Sequence, residues 1–167
     1  MMISGYYKES INEGEGLRAV IFISGCKHYC KGCFNPETWN FEHGEEFTLE
    51  KQMDIINDIL CNPLLDGITL CGGDPFYSAR EVVDFVRLFK SKAPNLTVWA
   101  YTGFMFEQLL HVPIMLELLQ LIDVLIDGRF IEDKRDLTLK FRGSSNQRII
   151  DVQKSLESHN LIICKEV

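Results

Sequence analysis

Three cysteines crowded into eight residues, Cys26-Lys27-His28-Tyr29-Cys30-Lys31-Gly32-Cys33, constrain this chain more than any other feature. They follow the apolar run Ala19-Val20-Ile21-Phe22-Ile23, which breaks at Ser24-Gly25 and reads as a buried strand entering a loop. Thiolates three and four positions apart on a loop converge on one region, and soft sulfur ligands favour iron–sulfur clusters or zinc. A closed [4Fe–4S] cluster takes four cysteines and a structural zinc four ligands. Three leave a coordination position open, and an open position is where chemistry occurs. Two blander readings stand beside this one. The first is a structural zinc site closed by His28 or a distant cysteine; the second is three unrelated buried cysteines.

The six cysteines also bear on compartment. The opening residues carry neither a basic region nor an apolar run of signal-peptide length, so the expectation is a reducing, cytoplasmic setting. There, metal or catalytic use of cysteine outranks disulfides. The most apolar window, residues 114–126, is interrupted by Glu117, Gln120 and Asp123, which argues against a membrane span. A net charge of −7 disfavours a phosphate-binding surface and hence nucleic acid as a partner.

Along the chain, residues 1–18 read as irregular, with a bend at Gly14-Glu15-Gly16 that lacks the strand–helix context of a dinucleotide fingerprint. Pro36 keeps the aromatic stretch Phe34 to Phe41 out of regular strand, and Trp39 and Phe41 are expected to cover the cysteine loop. A helix is expected from Thr48 to about Leu60, with Leu49, Met53, Ile56 and Leu60 as its apolar stripe. A short strand, Gly67 to Cys71, then meets Gly72-Gly73-Asp74-Pro75. Ser78 opens the next helix, with Ser78 and Glu81 as a capping box. Strands follow at 96–101, 123–126 and 137–141, with helical patterning between the first two, broken near Pro113. A short helix begins near Asp151.

Strand and helix thus alternate, as in parallel β/α units. A closed eight-fold β/α barrel needs roughly 200 residues or more, and this chain has 167. The expectation is a single-domain, partial, open-sided β/α barrel of parallel strands, with ligands at the C-terminal strand ends. The cysteine loop, Gly72–Pro75, Tyr101-Thr102-Gly103 and Asp127-Gly128-Arg129 would then share one mouth. Paired glycines after a strand let backbone approach a ligand without an intervening Cβ.

The Cys26-x3-Cys30-x2-Cys33 loop followed by Gly72-Gly73-Asp74-Pro75 resembles the radical S-adenosylmethionine (radical SAM) superfamily. Ser24-Gly25-Cys26, Gly32-Cys33-Phe34-Asn35, Asp127-Gly128-Arg129-Phe130 and the segment Arg142 to Asp151 resemble one branch of it, the activases of anaerobic ribonucleoside-triphosphate reductase. Gly32 stands where most of the superfamily has an aromatic residue. The resemblance implies that Cys26, Cys30 and Cys33 hold three irons of a [4Fe–4S] cluster and that SAM chelates the fourth. It implies that Gly72, Gly73 and Asp74 bind the SAM amino group, by backbone oxygens or the Asp74 carboxylate. Gly32 and Phe34 would lie beside the adenine, and Arg129 would pair with the SAM carboxylate. Asp127 would orient Arg129 or bind ribose, and His28 would line the cluster. The implied partners are the large subunit of the reductase and an external one-electron donor of flavodoxin or ferredoxin type. Cluster and SAM would carry the chemistry, with no protein base or nucleophile.

Cys61, Cys71 and Cys164 read as packing residues, and Met53, Met105 and Met115 as core. Two other functions remain open at this level: a small radical SAM enzyme acting on a small molecule such as a modified purine, or a non-catalytic zinc-binding module.

Overall fold

The apolar run before the cysteines becomes a central strand of a seven-stranded sheet. The computed structural model describes residues 1–164. Its elements are β1 (Met2–Ser10), β2 (Arg18–Ile23), β3 (Glu45–Glu46), α1 (Leu49–Leu60), β4 (Gly67–Gly72), α2 (Ala79–Lys92), β5 (Thr97–Tyr101), α3 (Phe106–Leu109), α4 (Pro113–Leu119), β6 (Val124–Asp127), β7 (Arg148–Asp151) and α5 (Val152–Ser158). The strand order is β3-β1-β2-β4-β5-β6-β7. The four middle strands, β2, β4, β5 and β6, are parallel and joined by helical crossovers. Both flanks are antiparallel. The sheet is open, and the expectation of parallel strands throughout is corrected at its edges.

The antiparallel flanking strands escaped the sequence pattern. Residues 2–10 form β1, antiparallel to β2, rather than an irregular arm. Ile3 is its one buried residue, so ladder hydrogen bonds rather than burial hold it there. The strand expected at 137–141 is absent; Leu137 is 81% exposed in a turn region. The last strand is instead β7, which returns antiparallel to β6.

The middle strands are almost wholly buried because helices cover them, and β-branched runs suit that setting. Ile21, Ile23, Leu70 and Val98 meet Ile55, Ile56 and Ile59 of α1 and Val82, Phe85 and Phe89 of α2 in one core. Each such fully buried side chain contributes about 2 kcal/mol. On α1 the buried stripe is Ile55, Ile56 and Ile59, while Leu49 and Leu60 are exposed. Both stripes have helical spacing, and the β-branched one faces the sheet. The helix starts where expected, and Thr48 caps it, its hydroxyl accepting from Lys51 N at 3.2 Å. Ser78 makes no cap bond, because the 3-10 turn Pro75–Ser78 runs straight into α2. Asp151 caps α5 by accepting from Lys154 N at 3.1 Å.

Register decides what happens at the strand ends. Ile23 of β2 lies beside Gly72 of β4, and Tyr101 of β5 beside Ile126 of β6. The loops leaving these four strands therefore emerge side by side. Among the described residues no helix is long and apolar enough to cross a membrane.

Candidate functional site

Backbone hydrogen bonds lock the cysteine loop to the glycine turn before any side chain is considered. Gly73 N donates to Ile23 O at 2.7 Å and Asp74 N to Gly25 O at 3.0 Å. Gly72 sits at φ +97°, and a Cβ on Gly73 would lie 2.6 Å from Gly25 O. Both positions thus require glycine, one for its backbone conformation and one for close approach.

Cys26, Cys30 and Cys33 line one cavity of about 130 Å³, together with Gly72, Gly73 and Asp74. A groove of about 740 Å³ opens beside it and shares Phe34, Asn35, Gly72, Gly73 and Tyr101 with the cavity. The segment after the cysteines folds back over their loop: Gly25 N donates to Thr38 O at 2.7 Å, and Trp39 meets Tyr29 edge to face at 5.4 Å. Phe41 packs on Gly25, where a Cβ would come within 2.3 Å of its ring. Trp39 and Phe41 therefore cover the loop, as expected.

Burial pushes the Cys26 thiol up to about 11 and raises that of Cys30, against backbone N–H groups that pull both down. Such thiols become thiolates only when a cation takes them. Among the described residues no three His, Cys, Asp or Glu side chains converge closely enough to hold one ion. Three sulfurs lining one cavity are the ligand type of an iron–sulfur cluster, in which each iron takes its own thiolate.

Asp74 is the hub of the site and is 1% exposed. Its Oδ2 accepts from His28 Nε2 at 2.8 Å, Thr102 Oγ1 at 2.9 Å and Gly103 N at 2.9 Å; its Oδ1 accepts from Phe76 N at 3.0 Å. This carboxylate is occupied in joining the loops after β2, β4 and β5. What the turn offers a ligand is its Gly72–Gly73 backbone. His28 is buried against Phe104 and Tyr77, at ring separations of 4.6 and 5.2 Å.

The other anticipated residues are less central. Phe34 lines the cavity, packed on Phe130 at 5.1 Å. Gly32, at φ +74°, faces Glu132 outside the lining. Arg129 is exposed and also outside it. Asp127 does not orient Arg129: its carboxylate binds Arg148, with Nε to Oδ1 at 2.9 Å, and caps Phe106 N at 2.7 Å. Gln147 lines the cavity unforeseen; it accepts from Gly143 N and donates to Gly128 O, closing the long loop before β7. A lone glutamine far along the chain carries no pattern that could have revealed this. Cys71 is buried and Cys164 half-buried, as packing residues should be, but Cys61 is exposed at the end of α1.

With that geometry in place, comparison with known proteins is decisive. Residues 12–150 match the family of 4Fe–4S single cluster domains. The chain is 39% identical to the anaerobic ribonucleoside-triphosphate reductase-activating protein of Haemophilus influenzae, over 86% of this chain and 94% of that one. It is 37% identical to the protein of the same name from Escherichia coli K12, over 85% and 93%. The counterpart from phage T4 is 37% identical over 81% and 85%. The chain belongs to the anaerobic ribonucleoside-triphosphate reductase-activating protein family. The match to a 4Fe–4S single cluster domain supports an iron–sulfur cofactor. The match begins before β2 and ends within β7, so it covers the cysteine loop, the glycine turn and every other wall of the cavity.

Proposed function

We propose that this protein is a radical SAM activase that places a glycyl radical on the large subunit of anaerobic ribonucleoside-triphosphate reductase. One observation carries the reading: a three-cysteine loop and a paired-glycine turn, leaving adjacent parallel strands, wall a single cavity. Cys26, Cys30 and Cys33 would hold three irons of a [4Fe–4S] cluster, leaving one iron for SAM. Cluster and SAM together supply a 5′-deoxyadenosyl radical that takes a hydrogen atom from a glycine Cα.

The chain's own residues bind, orient and keep the site dry. Carbonyls of Gly72 and Gly73 accept from the SAM amino group, while Asp74 fixes their turn from behind. Phe34, backed by Phe130, offers an apolar face to the adenine, and Gly32 gives the cysteine loop the left-handed turn it needs there. Arg129, exposed between the cavity-lining Gly128 and Phe130, is assigned to the SAM carboxylate. The groove beside the cavity reaches the shared Gly72–Gly73 wall, which gives a segment of the reductase a path to the reacting carbon. Electrons come from an external one-electron donor of flavodoxin or ferredoxin type.

The test is anaerobic reconstitution with iron and sulfide, then dithionite and SAM. The expected result is a brown protein with about four irons per chain that forms 5′-deoxyadenosine. With the reductase added, a doublet radical signal should appear in electron paramagnetic resonance (EPR). Cys30→Ala should lose all three. A colourless protein holding one zinc and indifferent to SAM would refute the proposal, and SAM cleavage without a reductase radical would redirect it to a small-molecule substrate.

A further inference from the structure

His28 sits between two cluster cysteines, yet its visible partner is on another loop. Nε2 meets Asp74 Oδ2 at 2.8 Å, and that oxygen already accepts from Thr102 and Gly103, so the ring nitrogen is the donor. The other ring nitrogen, Nδ1, is buried and has no partner among the described residues. The ring lies flat on Gly103, where a Cβ would fall 2.4 Å from Cδ2. A buried imidazole with one nitrogen committed and a glycine reserved for its ring is a placed group, not incidental packing.

We propose that His28 is a positioning residue: through Asp74 it sets the Gly72–Gly73 turn against the cysteine loop, so that SAM affinity depends on how that loop is held. The inference rests on the radical SAM reading above. Among the described residues the Asp74 side chain bridges the loops after β2, β4 and β5, and His28 is its one hydrogen-bond partner from between the cysteines. Without the imidazole, the Asp74 carboxylate keeps only Thr102 and Gly103, after β5, and Phe76 of its own 3-10 turn, and the turn is tied to the β2 side by the backbone bonds of Gly73 and Asp74 alone. The turn then loses its side-chain reference to the cluster, while the cysteines keep their backbone path.

The two nitrogens can be separated by substitution. A glutamine amide reaches the place of Nε2 and an asparagine amide that of Nδ1. The readout is the EPR signal of the reduced cluster titrated with SAM, alongside iron content. His28→Leu and His28→Asn should keep wild-type iron but need about tenfold more SAM for half-saturation, the size of one charge-assisted hydrogen bond. His28→Gln should restore near-wild-type affinity. Should His28→Leu fail to fold, Gly103→Ala, which pushes the ring aside and keeps the histidine, should weaken SAM to a similar extent.

Equal SAM affinity across wild type, His28→Leu and Gly103→Ala overturns the inference alone. So does His28→Gln behaving no better than His28→Leu, or loss of iron from the variants, which would make His28 a cluster-retaining group. A wild-type cluster whose signal ignores SAM overturns the functional reading and this inference together.

Discussion

Asp127, fully buried at the end of β6, is clasped by Arg148 from the antiparallel strand beside it, Nε to Oδ1 at 2.9 Å. The guanidinium reaches on to Glu107 at 2.8 Å, and Asp127 also receives Phe106 N, so three segments meet on one carboxylate. Removing the cation strands a buried charge. Arg148→Met should therefore cost about 3–5 kcal/mol in denaturant unfolding. The Asp127→Asn, Arg148→Met double variant should be less damaged than Arg148→Met, because no buried charge is left unpaired. A double variant as unstable as the single would show that the charge is not what matters.

Glu107 lends this network a pH signature. Its hydrogen bonds from Arg148 hold its carboxyl below the ordinary glutamate value. A depressed folded-state value means stability that is fully present above about 4.5 and is lost as pH falls through the lower, folded-state value. The difference in melting temperature between wild type and Glu107→Gln should persist from pH 7 to 4.5 and then close on further acidification. A gap that widens below pH 4.5 would contradict the geometry.

Arg18 shows the opposite case, a buried cation without an acid. At 1% exposure it donates to Thr69 Oγ1 at 2.8 Å and to the carbonyls of Ile68 and Thr97 at 2.7 and 3.0 Å, tying β2 to β4 and β5. Burial pulls its guanidinium down to about 10. Its value lies in the planar fork, which lysine lacks. Both Arg18→Lys and Arg18→Met should lose about 3 kcal/mol, because carbonyl and hydroxyl acceptors are left dry. Chemical denaturation checks this, and an Arg18→Lys variant of wild-type stability would refute it.

Much of the site was readable because its chemistry is local. Cysteine spacing, paired glycines and β-branched runs each act within a few residues, so the four middle strands and the cavity's main walls followed from the chain. The antiparallel flanks did not: β1 buries only Ile3, and β7 sits behind a long loop that Gln147 closes from a distance. The partners of Asp127 and Asp74 were not legible, for one shared reason. Each aspartate follows a strand in a conspicuous turn, which marks a functional position, but the partners that occupy it come from other β/α units. Arg148 is 21 residues from Asp127, and His28 is 46 from Asp74. Pairing across such separations is set by sheet order, which no local pattern records.

Gly73 tests whether close backbone approach underlies the site. A Cβ there would lie 2.6 Å from Gly25 O and 2.9 Å from Ile23 O, both backbone atoms that cannot swing away. Gly73→Ala must push the turn off the cysteine loop. SAM binding, followed by the change it causes in the reduced cluster's EPR signal, should be abolished, with a stability loss of about 1–3 kcal/mol. Normal SAM binding in Gly73→Ala would place the cofactor elsewhere.

Thiol accessibility separates ligand cysteines from packing ones without any assay of catalysis. Cys61 is exposed, whereas burial holds the Cys71 thiol far above its ordinary range. Alkylation depends on exposure and on the thiolate fraction; Cys61 has the exposure, and burial denies Cys71 both. In the metal-free protein, iodoacetamide should label Cys61 first, Cys26, Cys30 and Cys33 more slowly, and Cys71 only on unfolding. Reconstitution with iron and sulfide should then protect Cys26, Cys30 and Cys33 and leave Cys61 as reactive as before, because a thiolate bound to iron is no longer a free nucleophile. Peptide mass spectrometry reads each site separately. Protection of Cys71 or Cys61 together with only two of the loop cysteines would move the cluster off this loop, and with it the open iron position on which SAM binding depends.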